Sequence, residues 1–210
     1  MIRHLYPVMR YSVLLLFLLI TASSAFASSP LDSFKAVKNK TNEKIVCGIA
    51  RQAVEAKIRK NAIIQPPSGI PGFLKQPSAV FVTIIKKDIT SGCMGTLVPR
   101  EPTLAAEIIR SAIMASTADY WYESIREKDL GKLKYLVTIP GPLRPVGSKA
   151  QLSPKTLGLL VRKGSKSALL LPGEALTPEW QIYECRRKAG IPQNEKVEMF
   201  VFETVSFGPY

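Results

Sequence analysis

Ser91-Gly92-Cys93-Met94-Gly95-Thr96 frames a thiol between two glycines, where a β-branched run gives way to a helix-like one. Glycine inside a strand marks a bulge or a place where something approaches the backbone closely. Two of them around one cysteine leave its backbone unshielded by neighbouring side chains. Two readings follow. In one, Cys93 lines a pocket and attacks an electrophilic carbon or accepts a group, which needs a thiolate favoured by nearby Lys or Arg. In the other, the segment is a tight strand corner and the cysteine fills core, since free Cys is among the most buried residue types.

A nucleophile needs a base, and histidine does not supply one. The single histidine is His4, inside an N-terminal segment that reads as a leader. Without it the chain has no Ser-His-Asp or Cys-His catalysis and no histidine-ligated metal. The base would be a carboxylate, Lys or water. Cys47, Cys93 and Cys185 show no CxxC spacing, so no zinc or redox motif is read and neither metal nor cofactor is expected. In an oxidising compartment the odd count allows one disulfide and a free thiol, or three buried thiols. Tyr120-Trp121-Tyr122 either stacks on a ligand such as a sugar ring or plugs the end of a helix against a sheet.

Residues 1–27 carry Arg3 and Arg10, an apolar run over 13–20 and then Ala25-Phe26-Ala27. That order is a secretory signal peptide, with cleavage expected after Ala27 and a secreted or periplasmic product. The alternative is an uncleaved N-terminal anchor, although the run falls short of the roughly 20 residues a span needs. Removal leaves 183 residues, enough for one domain or two small lobes, and lowers the formal charge from +13 to +11 as Arg3 and Arg10 depart. A basic protein outside the cytoplasm can meet anionic envelope polymers or membrane surfaces, but charge informs association and not fold. Lys86-Lys87 and Arg186-Arg187-Lys188 read as solvated surface. Nucleic-acid binding is disfavoured: Gly92-x-x-Gly95 follows a strand pattern and encloses Cys-Met, where a KH-type loop joins helices and clamps phosphates.

These residues need elements to hold them. Residues 28–41 read as an irregular arm. Thr41, with Asn42 and Glu43, caps a helix expected at about 42–60 with Ile45, Ile49, Ala53 and Ile58 as its buried stripe. Residues 63–78 form an ordered loop rich in Pro and Gly. Residues 79–85 are β-branched and aromatic on both faces, predicting a central strand, and 89–97 return as the strand carrying Cys93. Thr103 caps a second helix ending near 119–122. A strand follows at 133–139, then a hairpin pairs 157–162 with 167–171 around Lys163-Gly164-Ser165-Lys166. Thr177-Pro178-Glu179 opens a helix closed by Gly190, and 197–207 alternates as a last strand. The class is α+β: two packed α/β lobes over 42–210, with mostly antiparallel sheets and a cleft between them.

Phe81-Val82-Thr83 followed by Gly92-Cys93-Met94-Gly95-Thr96-Leu97 resembles the "VFVTL…RGCIGTL" signature of the AMMECR family. Ile49-Ala50-Arg51-Gln52-Ala53-Val54 looks like the family's first helix, and Asp119 like the opening of its "DPRF" segment. Leu170-Leu171-Pro172 is similar to "LLPQ", and Cys185-Arg186-Arg187-Lys188-Ala189-Gly190-Ile191 to "CRKAGL". The resemblance covers residues 44–207. It implies two lobes with the Gly-Cys-x-Gly strand lining the cleft, and Ser91, Gly92, Met94, Gly95, Thr96, Asp119 and Trp121 as binding residues beside Cys93. It implies no particular reaction. It does imply a functional link to Memo-type and radical SAM proteins, and in animals a regulatory or adaptor role.

The chain also departs from that pattern. Ser91 replaces the arginine before Gly92, Trp121 stands for the arginine of "DPRF", and the acid after the "LLPQ" turn reads as replaced near Thr177. The helix between Trp180 and Cys185 reads as shortened. An export signal is unusual for a mostly cytoplasmic family. The thinned polar set and the export favour a module that binds a small ligand or partner protein without turnover. The alternative is a cysteine-dependent enzyme with Glu174 and Asp119 as the motif-adjacent acids.

Overall fold

A computed structural model describes residues 30–210, so the leader expected over 1–27 lies outside the described residues. The β-branched run forms strand β1 (Phe81–Lys86) and turns at Lys87 and Asp88 into the antiparallel β2 (Ile89–Gly95). With β3 (Leu133–Pro140) and β8 (Thr204–Phe207) they make a sheet in the order β2-β1-β3-β8. One face of β1 packs on helices. Val82 and Ile84 meet Val46, Ala50 and Val54 of α2 (Lys40–Lys60), and Ile108 and Ala112 of α3 (Leu104–Thr117), in one core. Helical spacing puts those residues on one stripe of each helix. Thr103 caps α3 as expected, its hydroxyl accepting from the Ala106 N–H at 3.2 Å.

The second lobe has a sheet in the order β4-β7-β5-β6, from β4 (Arg144–Val146), β5 (Gly158–Lys163), β6 (Lys166–Leu170) and β7 (Glu198–Phe202). Helix α4 (Pro178–Ala189) covers it and buries Cys185 against Leu159, Val161 and Leu170. Every strand pair in both sheets is antiparallel. A small apolar cluster of Phe81, Leu171 and Phe202, flanked by Cys93, Leu97 and Leu169, joins the lobes. The α+β, two-lobe architecture is the one expected.

Three local expectations are corrected. The arm over 28–41 contains a helix, α1 (Pro30–Val37); Leu31 is buried, and Phe34 meets the edge of Phe73, which stacks on Phe207. Two turns offer too little periodicity to announce such a helix, and docking rather than propensity holds it. Helix α2 starts at Lys40, capped by Asn39, whose side chain accepts from the Asn42 N–H at 3.0 Å, and not by Thr41. Asparagine ranks above threonine as a cap. The last strand is two strands. Val201 and Phe202 are adjacent and both buried, because the chain leaves one sheet at Glu203 and enters the other. That break ties the lobes covalently beside Phe202.

Candidate functional site

A cleft of about 480 Å³ opens between the lobes beside Cys93. Strand register aims the thiol there. Cys93 lies opposite Thr83, whose hydroxyl donates to Sγ at 3.3 Å, while Gly92 and Met94 point the other way along the pleat. The first lobe contributes Cys93, Gly95, Leu97 and the turn from Asp119 to Tyr122. The second contributes Leu169, Leu171, Glu174 and Lys188.

The two glycines have a packing explanation. A side chain on Gly92 would collide with the Ala115 carbonyl of α3, and one on Gly95 with the backbone of Val80 and Phe81. Each admits a close backbone approach within the first lobe. Neither is there to bare the thiol, and Gly92 does not line the cleft.

Asp119 joins the turn to the sheet. One carboxylate oxygen accepts from the Cys93 N–H at 2.7 Å, and the other from the Trp121 N–H at 2.9 Å. It thereby satisfies a donor on the edge strand β2, which has no strand partner on that side. Trp121 is half exposed, with Tyr120 edge-on at 5.1 Å and the Arg187 guanidinium 4.8 Å from its ring centroid. Arg187 is itself gripped by both oxygens of Glu184, each at 2.7 Å. The aromatic turn therefore meets helix α4 of the other lobe and borders the cleft.

Glu174 faces the thiol from the second lobe. Its Oε2 accepts from the Leu171 N–H at 2.7 Å. The residue is open to solvent by area, yet the lobes crowd its carboxylate, and that burial raises its pKa against the pull of the Leu171 N–H and Lys188. Near Thr177, where the family resemblance expects an acid, the cleft instead has Glu174 three residues earlier. The Cys93 thiol is pushed up to about 12, by burial first and then by Glu174, with Thr83 and Lys188 pulling less strongly the other way. All three cysteines are free thiols in separate places. Cys47 donates to the carbonyls of Tyr135 and Phe207, and Cys185 to that of Leu159.

Of the residues expected at the site, Cys93, Gly95, Asp119 and Trp121 line the cleft, and Met94 borders it although its side chain packs toward the first-lobe core. Ser91 does not. It borders a smaller cavity of about 200 Å³ with Lys86, Ser124 and Arg126. Thr96 turns away and donates to the Val98 carbonyl at 2.7 Å. Phe81, Leu169 and Lys188 are in the cleft and were not read from the sequence; only the basic run ending α4 hinted at Lys188. Among the described residues no group of three or more His, Cys, Asp or Glu side chains could hold a metal ion.

The chain is similar to known proteins over most of its length. A protein of Thermotoga maritima is 36% identical over 158 residues, covering 73% of this chain and 91% of its own. One from Methanothermobacter thermautotrophicus is 31% identical over 154 residues, covering 69% and 80% respectively. The crystal structure of an uncharacterized protein from Pyrococcus horikoshii shares the fold, with a TM-score of 0.73 at 24% identity over 80% of this chain and 91% of that one. The family model described as AMMECR1 matches residues 47–207, a span that holds both sheets, the cysteine strand and the cleft, and the chain belongs to the AMMECR1 family.

Proposed function

We propose that this chain is an exported binding module whose inter-lobe cleft takes up a small ligand without turning it over. The observation that carries the reading is the state of the Cys93 thiol. A nucleophile needs a thiolate near neutral pH. Cys93 is only partly buried by area, yet its thiol sits crowded between the lobes, and that crowding with the Glu174 charge pushes it up to about 12, so it keeps its proton at neutral pH. The acids do not remedy this. Asp119 has both oxygens committed to backbone N–H groups, and Glu174 raises the thiol pKa by its charge. What remains is a concave, mostly apolar site with a few placed polar groups, the usual form of a ligand pocket.

Export is supported by the leader-like order of residues 1–27, and cleavage after Ala27 removes none of the described elements, since α1 starts at Pro30. Intact mass of protein recovered from the cell envelope tests it; a chain still beginning at Met1 refutes the cleavage. The binding reading is tested by treating folded protein with a small aromatic disulfide reagent at neutral pH, alongside thermal melts of Cys93→Ala and Cys93→Ser. Slow modification is expected, with a loss of about 1–2 kcal/mol for Cys93→Ala. Fast modification with unchanged melting temperatures overturns the reading in favour of a cysteine-dependent enzyme.

A further inference from the structure

Helix α4 ends in three consecutive cations, and two of them are committed. Arg186 donates to the carbonyls of Pro192, Gln193 and Glu195 at 2.9, 3.0 and 2.7 Å. Arg187 is paired with Glu184 and lies over Trp121. Lys188 is half-buried and lines the cleft, and its ammonium has no hydrogen-bond or ion-pair partner among the described residues. Across the same cleft, Glu174 gives Oε2 to the Leu171 N–H, while its Oε1 accepts no hydrogen bond from any described residue. The two charges feel each other, since Lys188 lowers the carboxyl pKa of Glu174, but they form no ion pair.

Neither the Lys188 ammonium nor the Glu174 Oε1 is spent on a protein partner among the described residues, and both belong to one cleft, so each is free to meet a ligand. An anion would meet Lys188 and be repelled by Glu174 and Asp119. A cation would meet Glu174 and be repelled by Lys188. A molecule carrying both charges can meet both. The cleft that holds Lys188 and Glu174 is also lined by Phe81, Leu97, Leu169, Leu171 and Cys93, which suits an apolar substituent.

Resting on the binding reading above, we propose that the ligand is a zwitterion, an α-amino acid with an apolar side chain, its carboxylate on Lys188 and its ammonium on Glu174. The test is an amide-proton NMR titration of the full mature chain with L-leucine, L-methionine and L-phenylalanine, each beside its N-acetyl and its carboxamide form. At least one free amino acid should shift the Cys93 and Trp121 amides and bind at least tenfold more tightly than either capped form. In Lys188→Met the preference over the carboxamide should vanish while that over the N-acetyl form persists. Glu174→Gln should do the reverse. This crossed pattern separates charge recognition from misfolding, which would weaken all probes alike. Equal or tighter cleft binding of a capped form overturns the zwitterion and leaves the binding reading standing. Shifts mapping away from the cleft for every probe overturn both, and no shift with any of the nine probes overturns the zwitterion alone.

Discussion

Glu107→Ala tests how the cysteine strand is held in place. Glu107 lies in the first turn of α3 and is fully buried. Its Oε2 accepts from the Arg100 and Glu101 N–H groups at 2.6 and 2.8 Å, and its Oε1 faces Thr96 Oγ1 at 3.5 Å and Arg110 at 3.6 Å. One carboxylate thereby closes the loop that carries the chain from Gly95 to α3, including Leu97 in the cleft. Hydrogen bonds to a charged group are worth roughly 1.5–3 kcal/mol each. Arg100 is exposed and Glu101 partly so, and water recovers part of that loss. The net cost should be about 3 kcal/mol, lowering Tm by about 6–12 °C for a chain of this size. Glu107→Gln can still present one oxygen to both N–H groups and should cost about 1 kcal/mol. Urea denaturation of the three proteins measures this. An alanine variant within about 1 kcal/mol of wild type, or a glutamine variant as weak as alanine, refutes the account of the loop.

Two further outcomes are expected. Cys47, Cys93 and Cys185 are each raised by burial from 9.0 to about 12, so their unfolded forms ionise first. Their contribution is intact below pH 9 and falls away as pH rises from 9 to about 12, because the unfolded state holds fewer protons there. Alkaline denaturation of Cys47→Ala/Cys185→Ala should show a shallower decline over that range, and an unchanged slope refutes the burial argument. Leu31→Ala, at a site 1% exposed on α1, should cost about 2–3 kcal/mol and speed hydrogen exchange across residues 30–37. A cost below about 0.5 kcal/mol, with protection kept, means α1 is held by something other than that side chain.

What the sequence disclosed was local. The two-faced apolar run of β1, the Thr103 cap and the Gly164 hairpin each carry their signal within a few residues. The misses depend on partners far along the chain. Glu203 looks like one more polar position in an alternating strand until Phe202 is seen filling the seam between lobes. Strand β4 contains Pro145 and pairs with β7 alone, at the sheet edge where a missing N–H is tolerated. The site divides the same way. Cys93 and Asp119 were legible from a motif, whereas the spare cation among Arg186, Arg187 and Lys188 is decided by carbonyls and a carboxylate that only the fold brings near.

The departures at Ser91 and Trp121 then have a common consequence for the cleft. Trp121 sets a ring where the family resemblance expects an arginine, and Arg187 stands over that ring, so a guanidinium remains at the rim. Glu184 neutralises it, and an Arg already gripped through two bonds offers little to an anion. Ser91 opens onto a separate cavity in which Lys86 and Arg126 are engaged with Asp129. Neither replacement leaves a free positive charge beside Cys93. Lys188, opposed by Glu174, is therefore, among the described residues, the one of the three cations ending α4 that is left unpaired in the cleft. Under the zwitterion proposal, one free charge of each sign calls for a ligand that balances both, and not for the polyanion that the chain's formal charge of +13 would suggest.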